Sequence, residues 1–256
     1  MPATFPSHAA AVLPLKVRWP HRFDGVALVT GSAAPDLYYG LNGYVVVPPT
    51  HNAPGLFWFT LPVALVATAL IRRSAPTIAA HLPGRPAWLA LRDYGVLGTV
   101  RHQWYVTAYS ILLGGLTHIA WDGFTHAQGT QHGWAVRLAP ALRVEAWPGT
   151  PWWLVAQHAS TVLGAVAVAA LAVHIGRRRL LRAWHGAPPD IARCPGVFWS
   201  VAAVVAAAQP LTWPLLRFRS ATYVQGVRMI WCVALALLAG AAVAHLVARV
   251  RAERAR

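Results

Sequence analysis

Long apolar runs separated by short, arginine-bearing connections set the plan of the chain. Five runs, at residues 56–71, 104–121, 153–175, 196–216 and 229–248, predict bilayer-spanning helices; a helix needs about 20 apolar residues to cross. The first run is short and holds Pro62, and the fourth carries Gln209, Pro210 and Pro214, which predict a kink. Trp58, Trp104, Trp121, Trp152, Trp153 and Trp199 fall at or near the run ends, where interfacial aromatic belts sit. Ahead of the runs, residues 5–15 and 25–34 predict two short helices, the second opened by Asp24 and stopped by Pro35. Residues 37–50 form a Tyr-, Gly- and Pro-rich loop, and no internal repeat is present.

The expected fold is therefore all-α, a polytopic membrane helical bundle of about five spans with short N-terminal helices packed at the membrane boundary. It forms a single integral membrane domain over residues 1–256. Residues 1–55 supply an N-terminal segment bearing ligand-type side chains, 56–175 the first three spans, and 196–248 the last two.

Composition agrees with that plan. Mean hydropathy is +0.45 and only 11% of residues are charged, a profile foreign to soluble enzymes of this size. The net charge of +15 comes almost wholly from Arg lying between apolar runs. That pattern suits anionic headgroups rather than a continuous phosphate-binding stripe, so no nucleic acid partner is expected. Cys194 and Cys232 sit in dissimilar settings without a C-x-x-C motif, and no disulfide is expected. The first 15 residues lack a charged start and are broken by proline, unlike a signal peptide.

If all five runs cross, the connections on one side carry 14 Lys and Arg and those on the other 8. The second side holds the N-terminus and residues 123–152, and the positive-inside rule places it outside the cytoplasm.

The candidate chemistry gathers on that same side. His118, Asp122 and His126 are spaced by four where the second run ends, so a continuing helix stacks them along one face. His8 opens the first short helix, Asp36 follows the second, His51 precedes the first span, and His158 lies in the opening turns of the third. Imidazoles and carboxylates at a membrane boundary are costly unless satisfied, and metal ligation satisfies them. Without thiolates the set suits zinc foremost, with manganese or iron as alternatives, in an open hydrolytic site of more than one ion. Asp36 and Asp122 are the natural bridging carboxylates and the residues able to serve as general base. Each position also has a plainer reading: a His–Asp bonded helix end, a turn aspartate after Pro35, an exposed loop His51, a helix-start His8. His158, alone on an apolar face, reads on its own as a satisfied core histidine. His81, His102, His174 and His185 fall on the Arg-rich side and read as solvated. His245 lies near the end of the last run, and His21 and His132 sit in polar or Gly-adjacent settings that argue against ligation.

Four stretches carry a family resemblance. Phe5-Pro6-Ser7-His8-Ala9-Ala10-Ala11-Val12-Leu13-Pro14, Gly31-Ser32-Ala33-Ala34-Pro35-Asp36, the run Leu113 to His126, and Gln157-His158-Ala159-Ser160 resemble, in order, a bacterial membrane family known as domain of unknown function 4184. The resemblance spans Met1 to about Gly164 and names no reaction. More distantly, the order of His, Pro-Asp, His and His-x-x-x-Asp is similar to inner-membrane metal-dependent hydrolases and to the zinc-dependent phospholipase C and nuclease family. That similarity implies ligand roles for His8, Asp36, His51, His118, Asp122, His126 and His158. Val162 stands where the phospholipase family has an acid, and Met1-Pro2 where it has a ligating Trp, so one or two ions are implied rather than three.

The function expected is metal-activated hydrolysis of a phosphoester or lipid-type substrate at a membrane lipid surface, in the bacterial cytoplasmic membrane. The rival is a non-catalytic metal carrier or assembly partner, which would need polar groups running on through the spans. Little besides Ser110, Thr161 and Gln209 offers them. Haem ligation by paired His is a third reading. The oligomeric state has no signature in the chain.

Overall fold

The computed structural model describes residues 7–42, 45–46, 49–127, 130, 132–209 and 222–255. Most of them are helical: α1 (Ala9–Arg18), α2 (Gly25–Leu37), α3 (Ala53–His81), α4 (Trp104–Thr125), α5 (Trp134–Leu138), α6 (Trp152–Arg177), α7 (Leu180–His185), α8 (Pro195–Ala208) and α9 (Thr222–Arg254). Short 3₁₀ turns join some of them. The described strands form one small antiparallel hairpin, Glu145–Trp147 with Thr150–Pro151.

Among the described residues three helices are long and apolar enough to cross a membrane: α3, α6 and the Val224–Arg254 part of α9. This is the make-up of a membrane protein. The first predicted span was the shortest, yet α3 runs on to His81. Asn52 caps its start by accepting from the Gly55 N–H at 2.8 Å, and Pro62 falls near that start, so neither it nor Arg72-Arg73 ends the helix. α4 has the length of a span but a polar face of Thr107, Ser110, His118 and Asp122, all buried, which keeps it outside the apolar set. The fourth predicted run is seen as the 14-residue α8. Pro210 and Pro214, on which its kink was expected, lie outside the described residues.

The chain packs as two compact units. The first draws on Met1–Ala67, His102–Leu171 and Ala221–Val227. Its centre is α2 laid along α4. Asp24 starts α2 by accepting from the Ala27 N–H, and its other oxygen accepts from the Thr107 hydroxyl at 2.8 Å. Further along, a Cβ on Gly31 would run into the Ile111 carbonyl, and one on Gly114 into the Leu28 carbonyl and to 2.7 Å from the Ser32 nitrogen. Only glycine permits that approach. Ala27, Ala34, Ala64 and Ile111 fill the space beside it. α2 does not stop at Pro35 as expected. It continues to Leu37, its packing on α4 outweighing the missing proline N–H, and so carries Asp36 on a helix.

The second unit draws on Thr68–Arg101, Ala172–Ser220 and Arg228–Arg256. Phe198 is fully buried with Ala241 and Ala244. His81, expected in solvent, is buried here instead. Its ring stacks on Phe198 with centroids 4.6 Å apart, and its Nε2 accepts from the Cys194 N–H at 2.9 Å. Cys194 and Cys232 are both buried free thiols. Asp93 is buried beneath a fork from Arg179.

The α2–α4 contact makes a direct prediction. Gly114→Ala should force the two backbones apart, costing about 1–3 kcal/mol. It should lower the thermal unfolding midpoint in detergent. Gly196→Ala, where a Cβ meets nothing within 4 Å, should leave the midpoint unchanged.

Candidate metal centre

Asp36, His51, His118 and Asp122 each turn one ligand-type atom toward a common point, all four within 4.8 Å of one another. Three separate segments supply them: the end of α2, the residue before the α3 cap, and the last turns of α4. His51 and His118 are 2% and 0% exposed.

The hydrogen bonds behind the two rings fix their tautomers. His118 Nδ1 lies 2.7 Å from the Ser32 carbonyl. A carbonyl only accepts, so Nδ1 carries a proton, and in the neutral ring Nε2 is the atom with the lone pair. The Thr50 hydroxyl donates to the Pro35 carbonyl at 3.0 Å, and so accepts from His51 Nδ1 at 2.9 Å. In the neutral His51 ring Nε2 is thus also the atom with the lone pair. These two nitrogens face each other at 3.1 Å, so either a proton or a metal ion must lie between them. Ser32 and Thr50 are the outer partners that ligating histidines ordinarily have.

The carboxylates complete the set. Asp36 Oδ1 is 3.1 Å from His51 Nε2 and 3.6 Å from His118 Nε2. Asp122 Oδ2 is 3.3 Å from His118 Nε2 and 3.7 Å from His51 Nε2. Donors around a tetrahedral ion with bonds of about 2.0–2.1 Å stand about 3.4 Å apart, so the spacing fits a small divalent cation. Two neutral imidazoles and two carboxylates are also a donor set that such ions accept.

The other predicted residues take different places. His8 stacks on His118 with ring centroids 3.8 Å apart, and its Nε2 lies 3.5 Å from Asp122 Oδ1. Both of those atoms are buried and lack a hydrogen-bond partner. Buried polar atoms of this kind call for a partner, which a bound ion or water would supply. His126 turns Nδ1 toward the Asp122 carbonyl oxygen at 3.2 Å and the Asp122 carboxylate at 3.7 Å. Its Nε2 receives the Gln157 amide at 3.3 Å. It therefore offers Asp122 an N–H and not a lone pair, which makes it a positioning residue in this arrangement.

His158 is not brought to the cluster. Its ring is exposed and bonds the Leu154 carbonyl one turn back at 2.9 Å. The neighbouring Gln157 faces inward instead, because α6 is rotated to set Thr161 against Ser7. His132, expected to be uninvolved, is buried over the cluster. Its ring centroid lies 4.0 Å from that of His51, and its Nε2 is 2.8 Å from the Tyr39 hydroxyl. No periodic signal marks a residue that reaches the site from a loop.

Electrostatics keep the outer groups ready to bind. Burial, together with the facing His118, pushes His8 down to about 3. Burial and the neighbouring His51 and His126 do the same to His132, also to about 3. Burial would raise the Asp36 carboxyl, but the facing His118 and His51 hold it well below the usual carboxylate range. Ligands already deprotonated at neutral pH bind a cation without first losing protons.

The pH dependence follows from these directions. His8 and His132 are neutral in the fold down to about pH 3, whereas in the unfolded chain they take protons below about 6.5. Metal-free protein should therefore lose stability as pH falls from about 6.5 toward 3. Unfolding midpoints measured across that range should drop, and His8→Gln should flatten the slope. An unchanged slope would show that His8 is not held neutral.

Comparison with curated proteins and with solved structures gave no match. A family profile does match, over residues 1–250, well past the 164 residues on which the sequence motifs rest. The chain belongs to the family described as Domain of unknown function (DUF4184).

Proposed function

We propose that this protein is a membrane-embedded metal-dependent hydrolase acting on a phosphoester or related bond in a lipid-type substrate. The observation that carries the reading is the pair of imidazole Nε2 atoms, oriented by Ser32 and Thr50, that face each other at 3.1 Å between two carboxylates. Asp36, His51, His118 and Asp122 would hold the ion, zinc foremost. Asp122 Oδ1, turned toward His8, leaves room for a second. A bound divalent ion there supplies Lewis acidity and a water acidic enough to be deprotonated near neutrality.

The chain's own groups divide the remaining work. Asp36 has 15% of its side chain exposed against 4% for Asp122. It is the carboxylate that an attacking water can reach, and so the proton acceptor. Asp122, closed in by His8, His118 and His126, positions and neutralises. His132, held by Tyr39, covers the imidazole side and excludes bulk water. The apolar helices agree with a substrate drawn from the bilayer, and α4 and α8 would complete five crossings. With five crossings, the balance of 14 against 8 basic residues supports a centre on the outer face of a bacterial cytoplasmic membrane.

Metal analysis of detergent-purified protein tests the first half. Wild type should hold at least one equivalent of zinc at micromolar free ion, and His118→Ala or Asp122→Ala should lose about ten-fold or more in affinity. Less than about a tenth of an equivalent in wild type would defeat the reading. Turnover of a chromogenic phosphodiester tests the second half. Asp36→Asn should lower it by about 10²-fold or more. Metal flux into liposomes with no turnover would instead favour a carrier.

A further inference from the structure

A groove of about 580 Å³ runs between α1, α4 and α6, within the size range of about 300–1,000 Å³ typical of small-molecule sites. Its walls are apolar along most of their length: Ala10 and Ala11 from α1, Ala120 and Phe124 from α4, Leu163 and Ala167 from α6. The lining also includes four polar residues, Ser7, His8, Thr117 and Ser160. His8 joins the groove to the centre. The same ring that lines the groove stacks on His118 and points its unpartnered Nε2 at Asp122 Oδ1. The groove therefore borders the metal centre through His8.

The groove also has an exposed apolar side. Leu163 is 68% exposed, and Val162 and Val166 beside it are 63% and 61% exposed. They lie on α6, a helix whose most apolar window is only 11% buried. On α4, Leu116 and Trp121 are also half exposed. The apolar lining is thus continuous with the face that α6 presents to hydrocarbon in a bilayer. Backbone contact keeps the groove narrow: Gly164 meets Ser7, where any Cβ would collide with the serine side chain, and the Ser7 hydroxyl donates to the Thr161 carbonyl at 2.9 Å.

We infer that the groove takes one acyl chain of a membrane glycerophospholipid, entering laterally from the bilayer, with the headgroup end brought to His8 and the metal centre. A water-soluble substrate would have no use for an apolar channel that opens toward lipid. The inference rests on the hydrolase reading for what happens at the polar end, but not for occupancy of the groove.

Photolabelling separates the two. Metal-free protein is reconstituted in nanodiscs of phosphatidylethanolamine and phosphatidylglycerol that contain a phosphatidylethanolamine with a diazirine on one chain. After irradiation, labelled peptides are mapped by mass spectrometry. Label should appear on Ala10, Ala11, Ala120 and Ala167, and Ala120→Phe or Ala167→Phe should reduce it at least five-fold. Val166→Phe on the outer face should leave it as in wild type. A thermal unfolding midpoint equal to wild type reports that each filled variant is folded, and the wild-type map needs no variant at all. Label confined to Val162 and Val166, and indifferent to the two filling substitutions, overturns the proposal. Label in the groove without phosphodiester turnover upholds the acyl site while removing the catalytic reading.

Discussion

The centre depends on how closely α2 can approach α4. Gly31 and Gly114 put backbone against backbone, and that contact brings the Ser32 carbonyl to His118 Nδ1. Without that acceptor the ring could turn over and offer an N–H where a lone pair is needed. The buried Asp24, tied to Thr107 and also bonded through its N–H to Ser110, fixes the sliding register of the same two helices. A glycine contact and a helix cap therefore decide the orientation of a ligand several turns away. This is how packed elements ordinarily preorganise a site.

Charge is handled locally. The seven acidic residues of the chain include four that are drawn into the packed interior or its edge: Asp24, Asp36, Asp93 and Asp122. Each has a defined function there. Asp24 caps a helix, Asp93 receives two arginines, and Asp36 and Asp122 face the imidazoles. Burial of an ionised carboxylate is expensive unless opposite charge or donors meet it; the fold supplies them to Asp24 and Asp93, while Asp36 and Asp122 would be met by protons on the facing imidazoles or by a bound ion.

Much of this was legible in the chain. The spacing of four from His118 to Asp122 to His126 survives as a helical face, and the positions of His8, Asp36 and His51 near the same boundary lead to the same cluster. Where sequence reasoning failed, the missing quantity was rotation or reach. His158 and Gln157 differ by one residue, about 100° around a helix. Gln157, Thr161 and Gly164 form an i, i+4, i+7 stripe of polar and small residues that could have identified the inward face. His132 had no such signal, because a loop positions it. The extent of α3 was underestimated because Arg72 and Arg73 were read as an end, although long cationic side chains can extend away from an apolar helix.

The Gln157 amide gives the assembly an uneven stiffness. α2, α3 and α4 meet at the centre through charged groups or through backbones in contact. α6 is tied to the site by neutral hydrogen bonds, from Gln157 to His126 and from Ser7 to Thr161. Each such bond is worth only about 0.5–1.5 kcal/mol net. Among these polar ties to the centre, those of α6 are therefore the cheapest to break, and breaking them leaves Asp36, His51, His118 and Asp122 on their own elements.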